Sequence, residues 1–286
     1  FKALRYIAEK HRSKYRQTEE EQAVMKIIVC MKQVPATTQV EIDPETGSMK
    51  RLGTQSRTNP YDLFALETAL RLKERLQASV TVLTMGPDQA ETMMKDAYAM
   101  GADDAVILSD RKFAGSDVLA TSYTLSQGIR KIGGADLIIC GKQTTDGDTA
   151  QIGPALAEHL HIPHCAWVNG IEYADQESIQ VKQELGAVTQ VSQMKYPCLI
   201  TVDKDIFVPR LPSYRLMRET RERPVRFLHL SDLPAQDFTR YGSIGSPTAV
   251  ERMFPPETMA RQVYLEGSAR EKAQQLFDRL TEKKII

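Results

Sequence analysis

Short apolar runs alternate with helical patterns four times between residues 26 and 160, and this alternation constrains the fold more than any other feature of the chain. Each helical pattern leads to the next apolar run over the distance of an ordinary crossover connection. Strands joined in this way lie parallel, and their helices cover both faces of the sheet. The sequence therefore predicts an α/β fold whose parallel strands are Lys26–Met31, Val80–Thr84, Ala105–Leu108 and Leu137–Cys140.

The stretch from Ala135 to Pro154, ADLIICGKQTTDGDTAQIGP, contains the clearest candidate for a binding site. Its buried strand ends at Gly141, ten polar or small residues follow from Lys142 to Gln151, and a helix then begins near Ile152. An open α/β sheet binds nucleotides at such a strand, loop and helix start. The unpaired N–H groups and the partial positive charge of the helix start suit a phosphate group.

The residue types at these connections agree with a site of that kind. Asp146–Gly147 allows a tight turn, and Asp148 or Thr149 can cap the helix that follows. Asn59–Pro60 predicts the start of the first helix, with the asparagine as its cap. Lys32, beside the first strand, could meet a phosphate or only line the surface. An ordinary surface connection remains the alternative, although such connections usually have about two to six residues.

After Pro163 the chain no longer alternates between strand and helix. Short strands with few helical patterns predict an extension of the sheet. Val208 to Pro224 contains three prolines and five arginines with apolar residues between them, which argues against a regular element. We expect an exposed arm with apolar anchors, a candidate docking surface, in preference to a solvated loop. The expected strands are Ile171–Tyr173, Ile179–Glu184, Val188–Ser192 and Cys198–Val202.

The C-terminal segment has the pattern of a tail that binds another polypeptide. Asp232 to Gly267 is rich in proline and has little periodicity, which is unusual inside a compact domain. An amphipathic helix is expected from Ser268 to about Lys283, opened by a capping box of Ser268 and Glu271. The expected divisions are an N-terminal extension of unknown role at 1–24, a nucleotide-binding α/β domain at 25–231 that includes the arm at 206–224, and a C-terminal arm with its helix at 232–286.

Composition argues against several classes of function. Lysine plus arginine equals aspartate plus glutamate at 37 each, so nothing favours binding to nucleic acid or to an acidic membrane. No apolar run approaches the ~20 residues that a membrane-spanning helix needs. The cysteines have no paired spacing, which indicates free thiols in a reducing cytoplasm. These cysteines are Cys30, Cys140, Cys165 and Cys198.

The sequence motifs of common catalytic sites are missing as well. The chain has no GxxxxGK[ST] loop, no GxSxG turn and no GxGxxG after a strand. His159, His161 and His164 could hold a metal by their spacing, but a polar corner at the end of a helix is the commoner arrangement. A nucleotide-binding domain with a partner-binding tail and no acid–base pair suits a protein that carries a redox cofactor, because the cofactor supplies the chemistry.

Several motifs, in order along the chain, resemble the β subunit of electron-transfer flavoproteins. They are VCMKQVP, NPYDLFALETALRLKE, MGADDAVILSD, DLIICGKQTTDGDTAQIGP, KYPCLITVDKDIFVPRLPSYRLM and GSPTAV. The resemblance covers about Met25 to Ile286. It implies a Rossmann-like or flavodoxin-like domain in a heterodimer, with the tail around the α subunit and the arm docked on a flavoprotein such as an acyl-CoA dehydrogenase. The docking residues so implied are Arg210, Leu211, Pro212, Tyr214, Leu216 and Met217.

The resemblance also implies what the β subunit binds. Conventional members hold AMP as a structural ligand, and their one FAD is held mainly by the α subunit. Bifurcating members hold a second FAD in β beside an NADH site, where NAD is a transient substrate. They send one electron to ferredoxin or flavodoxin and the other through the α-subunit FAD to a dehydrogenase. The implied nucleotide-site residues are Cys30, Asn59, Pro60, Tyr61, Asp62, Met85, Gly141, Lys142, Gln143, Thr144, Thr145, Asp146, Gly147, Asp148, Thr149, Ala150, Gln151 and Ile152.

The loop Asp146–Gln151 is similar to that of the bifurcating form, and so is a second helix start. Gly147 and Ala150 leave room for a larger ligand to approach the backbone. We therefore expect a subunit that binds FAD, accepts hydride from NADH and bifurcates electrons. The alternatives are a conventional subunit that holds AMP and an unrelated adenine-nucleotide sensor. The second helix start comprises Gly115, Ser116, Asp117 and Thr121. Polar contacts to the cofactor are expected from Asn59, Asp62, Asp146, Thr149 and Gln151, and close backbone approach at Gly115, Gly141 and Gly147.

Overall fold

A computed structural model describes five parts of the chain, which are residues 24–36, 41–42, 49–50, 56–251 and 263–286. Packing divides the chain into two units, one made by Phe1–Glu41 with Arg51–Glu251 and the other by Ile42–Lys50 with Arg252–Ile286. The expected N-terminal extension, apart from Val24, lies outside the described residues. The first unit contains the sheet.

The described residues contain one large sheet and two short strand pairs. The large sheet has nine strands in the order β11-β10-β9-β12-β8-β1-β6-β7-β13, and the short pairs are β2 with β5 and β3 with β4. The strands are β1 (Lys26–Cys30), β2 (Gln33–Pro35), β3 (Glu41–Ile42), β4 (Met49–Lys50), β5 (Ser56–Thr58), β6 (Ser79–Met85), β7 (Asp104–Leu108), β8 (Leu137–Gly141), β9 (His164–Ala174), β10 (Ser178–Leu185), β11 (Val188–Lys195), β12 (Cys198–Val202) and β13 (Arg226–Leu228).

Most of this sheet is parallel, which confirms the predicted fold class. Neighbouring strands are parallel from β9 through to β13, and only β10 and β11 add to the β9 edge as antiparallel strands. Two of the strands expected in the extension differ from the prediction. The first begins earlier, at His164, and Cys198–Val202 lies inside the parallel sheet because it pairs with β8.

Helices α1 (Pro60–Leu76), α2 (Glu91–Met100), α3 (Val118–Lys131) and α4 (Ile152–Leu160) cover the two faces of the sheet. The described residues also contain α5 (Tyr214–Glu219) and, in the second unit, α6 (Ala269–Glu282). Successive side chains of β1 point to opposite faces, as the period of a strand requires. Ile27 packs in the cluster that contains Leu70 of α1, whereas Ile28 packs with Ile129 of α3 and Leu156 of α4. Each such fully buried side chain contributes about 1.5–3 kcal/mol to folding.

The strand order creates one crevice at the carboxyl edge of the sheet. The chain builds outwards from β1 to β6 and β7, then returns to the other side of β1 with β8 and β12. The carboxyl ends of β1 and β8 therefore flank the point where the order reverses. Ligands of open α/β sheets bind at such a point.

The arm and the tail contain more regular structure than their sequences suggest. Val208–Pro224 includes the short helix α5, so the expectation of no regular element there is wrong. Its proline at 212 precedes the helix, and Ser213 Oγ accepts a hydrogen bond from Leu216 N at 3.4 Å as the cap. In the tail, the predicted capping box of α6 is confirmed, because Ser268 and Glu271 bond to each other's backbone N–H groups.

Candidate functional site

Asn59 joins the start of α1 to the loop that follows β8. Its side chain is fully buried; Nδ2 donates to the Gln143 carbonyl at 2.9 Å, and Oδ1 accepts from Thr145 N at 3.3 Å. Asn59 is the N-cap residue of α1 and Pro60 is its first residue, as predicted, but the Asn59 side chain makes no capping bond to the helix. Both ends of its amide are used by the loop instead. Asn59 therefore fixes the loop against the helix start.

Asp62 closes the carboxyl ends of β1 and β8. Its Oδ2 accepts a hydrogen bond from Lys32 N at 2.7 Å, and the Gly141 N–H also contributes to its environment. Burial raises the pKa of Asp62 to about 7, although these N–H groups and Lys32 favour the charged form. A Cβ on Gly141 would lie 2.7 Å from the carbonyl carbon of Tyr61, so only glycine allows α1 to approach β8 this closely.

Lys32 places a positive charge on the loop. Its Nζ lies 2.7 Å from Asp146 Oδ2, and both side chains remain partly exposed. Burial alone would raise the pKa of Asp146, but the hydrogen bond and charge of Lys32 lower it below its ordinary value. The cation is thus held at the mouth of the crevice, where sequence reasoning had left its role open. Its signal was its place directly after the first strand.

The loop ends at an uncapped helix. Gln151 occupies the cap position of α4 and makes no side-chain capping bond, so the prediction that Asp148 or Thr149 caps this helix is wrong. Asp148 accepts a hydrogen bond from the Gln143 side chain instead. Asp148 and Ala150 both have left-handed backbone angles, with φ of 52° and 54°. Strain of this kind costs about 1–3 kcal/mol and collects at functional sites. No side chain caps the first N–H groups of α4, and an anion can bind such groups.

Lys142, the first residue of the loop, contacts Asp203 and Trp167. Its Nζ lies 2.9 Å from Asp203 Oδ2 and 4.5 Å from the centre of the Trp167 ring. Trp167 also has a left-handed φ of 59°, and its N–H donates to Thr201 Oγ1 at 2.9 Å. The sequence analysis did not identify Trp167, because a bulge in β9 carries no local sequence pattern.

The start of α3 is satisfied by the chain itself. Asp117 caps the helix, since its Oδ1 accepts from Ala120 N at 3.1 Å. Its Oδ2 accepts from Thr248 Oγ1 at 2.8 Å, and its own N–H donates to Ser246 Oγ at 2.8 Å. Ser116 Oγ donates to the Phe113 carbonyl at 2.7 Å. The helix start expected to hold a cofactor is therefore bonded to residues 246–248.

Cys30 and Met85 are the last residues of β1 and β6, which are neighbouring strands of the sheet. Cys30 lies opposite Cys140 in the register of β1 and β8, and a hydrogen bond between the thiols, with burial, raises the pKa of Cys140. The expectation of free thiols is confirmed for all four cysteines. His159 packs its ring against Tyr123 and His161 ends α4 in a left-handed conformation. In the described parts of the chain, no three metal-ligating side chains form a group, and no helix is long and apolar enough to cross a membrane.

The arm exposes apolar side chains, whereas one of its five arginines, Arg210, bonds within the chain. Leu211 and Tyr214 are 86% and 71% exposed, and Met217 is also exposed. Arg210 lies against α1, where its Nε donates to Glu67 Oε2 at 2.8 Å. The predicted docking residues therefore divide into displayed apolar groups and one anchored cation.

These contacts bring together the first strand end, the start of α1 and the loop before α4. Lys32, Asn59 and the uncapped N-terminus of α4 surround the crevice, and they offer one cation, a fixed loop and free N–H groups. Such a donor set fits the phosphates of a nucleotide. Gly153 allows the first turn of α4 to lie close to β12, because a Cβ there would collide with the Thr201 side chain on that strand.

Comparison with known proteins agrees with this geometry. A family model described as "Electron transfer flavoprotein domain" matches residues 46–233. The chain is 41% identical to "Electron transfer flavoprotein subunit beta" of Megasphaera elsdenii, over 92% of this chain and 100% of that one. It is 40% identical to "Caffeyl-CoA reductase-Etf complex subunit CarD" of Acetobacterium woodii, over the same shares. "Protein FixA" of Bradyrhizobium diazoefficiens is 42% identical, over 88% of this chain and 89% of its own.

The family model covers more than half of the chain, and these relatives match nearly all of it. All strands of the large sheet except β1, together with the uncapped start of α4, lie within residues 46–233. The chain therefore belongs to the electron transfer flavoprotein family, and it is similar throughout to the family's β subunits.

Proposed function

We propose that this chain is the β subunit of a heterodimeric electron-transfer flavoprotein that binds FAD in the crevice and bifurcates electrons from NADH. The observation that carries the proposal is the set of polar groups at the crevice, made by Lys32, Asn59 and the uncapped start of α4. The proposed electron acceptors are ferredoxin or flavodoxin and, through the FAD of the α subunit, a flavoprotein dehydrogenase. The proposed compartment is the cytoplasm.

The residues of the crevice have distinct tasks in this proposal. Lys32 and the N-terminus of α4 bind the phosphates, and Asn59 keeps the loop in place while they do so. Asp62 holds the two strand ends together from below. A flavin bound here supplies the electron-transfer chemistry, and the protein supplies binding, orientation and electrostatics. The names of relatives in reductase complexes, such as that of Acetobacterium woodii, support the redox role.

One observation favours a second candidate, a conventional β subunit that holds AMP. Asp117 and its N–H are engaged by Ser246 and Thr248, so the start of α3 offers less to a ligand than its sequence suggests. A ligand that contacts only the loop and α4 can be a mononucleotide such as AMP. The two candidates therefore differ in the ligand, and they share the crevice.

Counting the ligands separates the two candidates. The heterodimer is purified, denatured, and its FAD and AMP are quantified by chromatography. Two FAD and no AMP per heterodimer support the bifurcating subunit, and reduction of ferredoxin by NADH is then measured. One FAD and one AMP would identify a conventional electron carrier and contradict the favoured proposal.

The proposed partner of the tail is the α subunit. α6 exposes Leu276 and Phe277 along its length, and its described side chains include no buried residue. An amphipathic helix with an exposed apolar stripe gains stability by packing on another surface. Truncation before Ser268 should weaken assembly with α by at least tenfold in a titration of the two subunits. Unchanged assembly would show that α6 packs elsewhere.

A further inference from the structure

We propose that Glu67, which is buried on α1, and the partly exposed Arg210 form an anchor that positions the docking arm, defined here as residues 206–224, for electron transfer to the partner dehydrogenase. This inference rests on the proposed function, because it assumes that the arm docks that partner. It changes the role of Arg210 from a contact with the partner to a positioning residue within the subunit. Glu67 is a positioning residue as well.

The two side chains meet with fork geometry. Arg210 Nε donates to Glu67 Oε2 at 2.8 Å and Nη2 to Oε1 at 3.2 Å, so both carboxylate oxygens are used. The backbone N–H of Arg210 adds a third bond to Oε2 at 3.1 Å. Glu67 is only 2% exposed on α1, whereas an ordinary surface ion pair is open to water. The bond therefore fixes the backbone of the arm as well as its side chain.

Neighbouring charges keep this pair ionised. Burial alone would raise the pKa of Glu67, but the bonds from Arg210 and Arg71 lower it below its ordinary value. Arg71 Nε lies 2.8 Å from Glu67 Oε1, and Arg210 Nη1 lies 2.6 Å from Glu74 Oε1. These bonds also raise the pKa of Arg210. A lysine at 210 would retain the charge but lose the two parallel bonds.

Further contacts hold the remainder of the arm. Ser213 N donates to the Ala99 carbonyl at 2.8 Å, and Tyr98 Oη donates to the Pro224 carbonyl at 2.8 Å. Lys95 Nζ lies 2.6 Å from the Arg223 carbonyl. The arm is thus fixed to α1 near its beginning and to α2 towards its end. The segment between these contacts displays the exposed apolar side chains.

This arrangement serves docking because a fixed apolar surface binds with less loss of conformational entropy than a free loop. The displayed side chains include Leu211 and Tyr214, and tyrosine is common among residues that dominate binding energy. Loss of the fork should leave those side chains present but variable in position. The expected consequence is weaker docking, with the chemistry within the heterodimer unchanged.

The test compares Arg210→Lys and Glu67→Gln in the purified heterodimer with the control Arg226→Lys. Arg226 pairs with Asp104 at the sheet edge, outside the arm, so the control also replaces an arginine–carboxylate contact. Trypsin cleavage after Arg215 and Arg218 is followed by mass spectrometry and reports whether the arm is ordered. Electron transfer to a purified acyl-CoA dehydrogenase, used as the probe, gives KM and kcat.

We expect both fork variants to be cleaved about tenfold faster within the arm and to raise KM for the dehydrogenase about tenfold. Their kcat and their nucleotide content should stay within twofold of the parent, as should every property of Arg226→Lys. Unchanged cleavage of the arm would overturn the anchor. Faster cleavage with unchanged KM would overturn its role in docking. Failure of the proposed function itself would look different, because the unmodified heterodimer would then contain one FAD and one AMP, or would transfer no electrons to the dehydrogenase.

Discussion

The starts of α3 and α4 lie at the same edge of the sheet and are completed in opposite ways. Asp117 caps α3, and Ser246 and Thr248 from the tail bond to that cap. α4 has no side-chain cap, and a strained polar loop leads into it. One helix start is satisfied by protein groups, and the other keeps its N–H groups available. Under the proposed function, this difference favours the start of α4 over that of α3 as the phosphate site.

The backbone geometry around each start supports the same distinction. α1 approaches β8 so closely at Gly141 that no side chain fits, and this contact fixes the floor of the crevice before α4. At α3 the close approach is made by the tail, where Ser243 lies 3.2 Å from the place of a Cβ on Gly115. Both close approaches are contacts within the chain, and the one at Gly141 lies beside the proposed ligand site.

The largest effect on nucleotide content is expected from Gly141→Ala. The added Cβ would overlap the backbone of Tyr61, which cannot move without shifting α1. Overpacking of this kind costs about 1–3 kcal/mol, and we expect the FAD or AMP content of the heterodimer to fall at least tenfold. The matched control is Gly170→Ala, whose Cβ would meet only the flexible side chains of Lys182 and Glu172. Full nucleotide content in Gly141→Ala would show that the floor of the crevice lies elsewhere.

A pH-dependent effect is expected from Asp62→Asn. Burial raises the pKa of Asp62 from 3.8 to about 7, so the folded state binds this proton more tightly than the unfolded state. The stabilising contribution of this group is complete below about pH 4 and is lost as the pH rises towards 7. Its full range is on the order of 4 kcal/mol.

Asparagine does not titrate, so thermal denaturation of the Asp62→Asn heterodimer should show a smaller loss of Tm between pH 5 and pH 8 than the parent. Asp146→Asn is the control of opposite sign. The pKa of Asp146 is lowered, so its contribution is lost only on acidification below its ordinary value of 3.8. Parallel pH profiles for Asp62→Asn and the parent would contradict the assignment.

A moderate effect is expected from Asp117→Ala. Loss of the cap and of the bonds to Thr248 should destabilise the heterodimer by about 1–2 kcal/mol, measured as a lower Tm. Nucleotide content should not change, because the proposed ligand binds at the start of α4 and not at the start of α3. Asp117→Asn keeps an oxygen for the cap and serves as the milder control. Loss of nucleotide in both variants would instead support the prediction that Gly115 to Thr121 bind the cofactor.

The sequence predicted the parallel strands and the start of α4 because both follow from local apolar periodicity. It did not predict the roles of Asn59 and Asp148, since each side chain bonds within the loop in preference to capping the following helix. Contacts between distant positions carry no local pattern at all. Thr248 lies 131 residues from Asp117, and Arg210 lies 143 residues from Glu67. The position of these polar groups at the crevice was therefore predictable from the sequence. The distant residues that bond to each helix start were not.

The smallest effect on stability, with a clear effect on binding, is expected from Gln151→Glu at the start of α4. A carboxylate beside a helix N-terminus stabilises the helix by about 0.3–1 kcal/mol, so Tm should rise slightly. The same charge repels a phosphate. Nucleotide affinity should therefore fall about tenfold if the phosphate binds at this uncapped helix start. Gln190→Glu, on the exposed strand β11, controls for the added charge, because a carboxylate there can still accept a hydrogen bond from Ser192 Oγ. If Gln151→Glu changed neither Tm nor affinity relative to that control, the open N-terminus of α4 would not be the phosphate site, and the two helix starts would no longer differ in function.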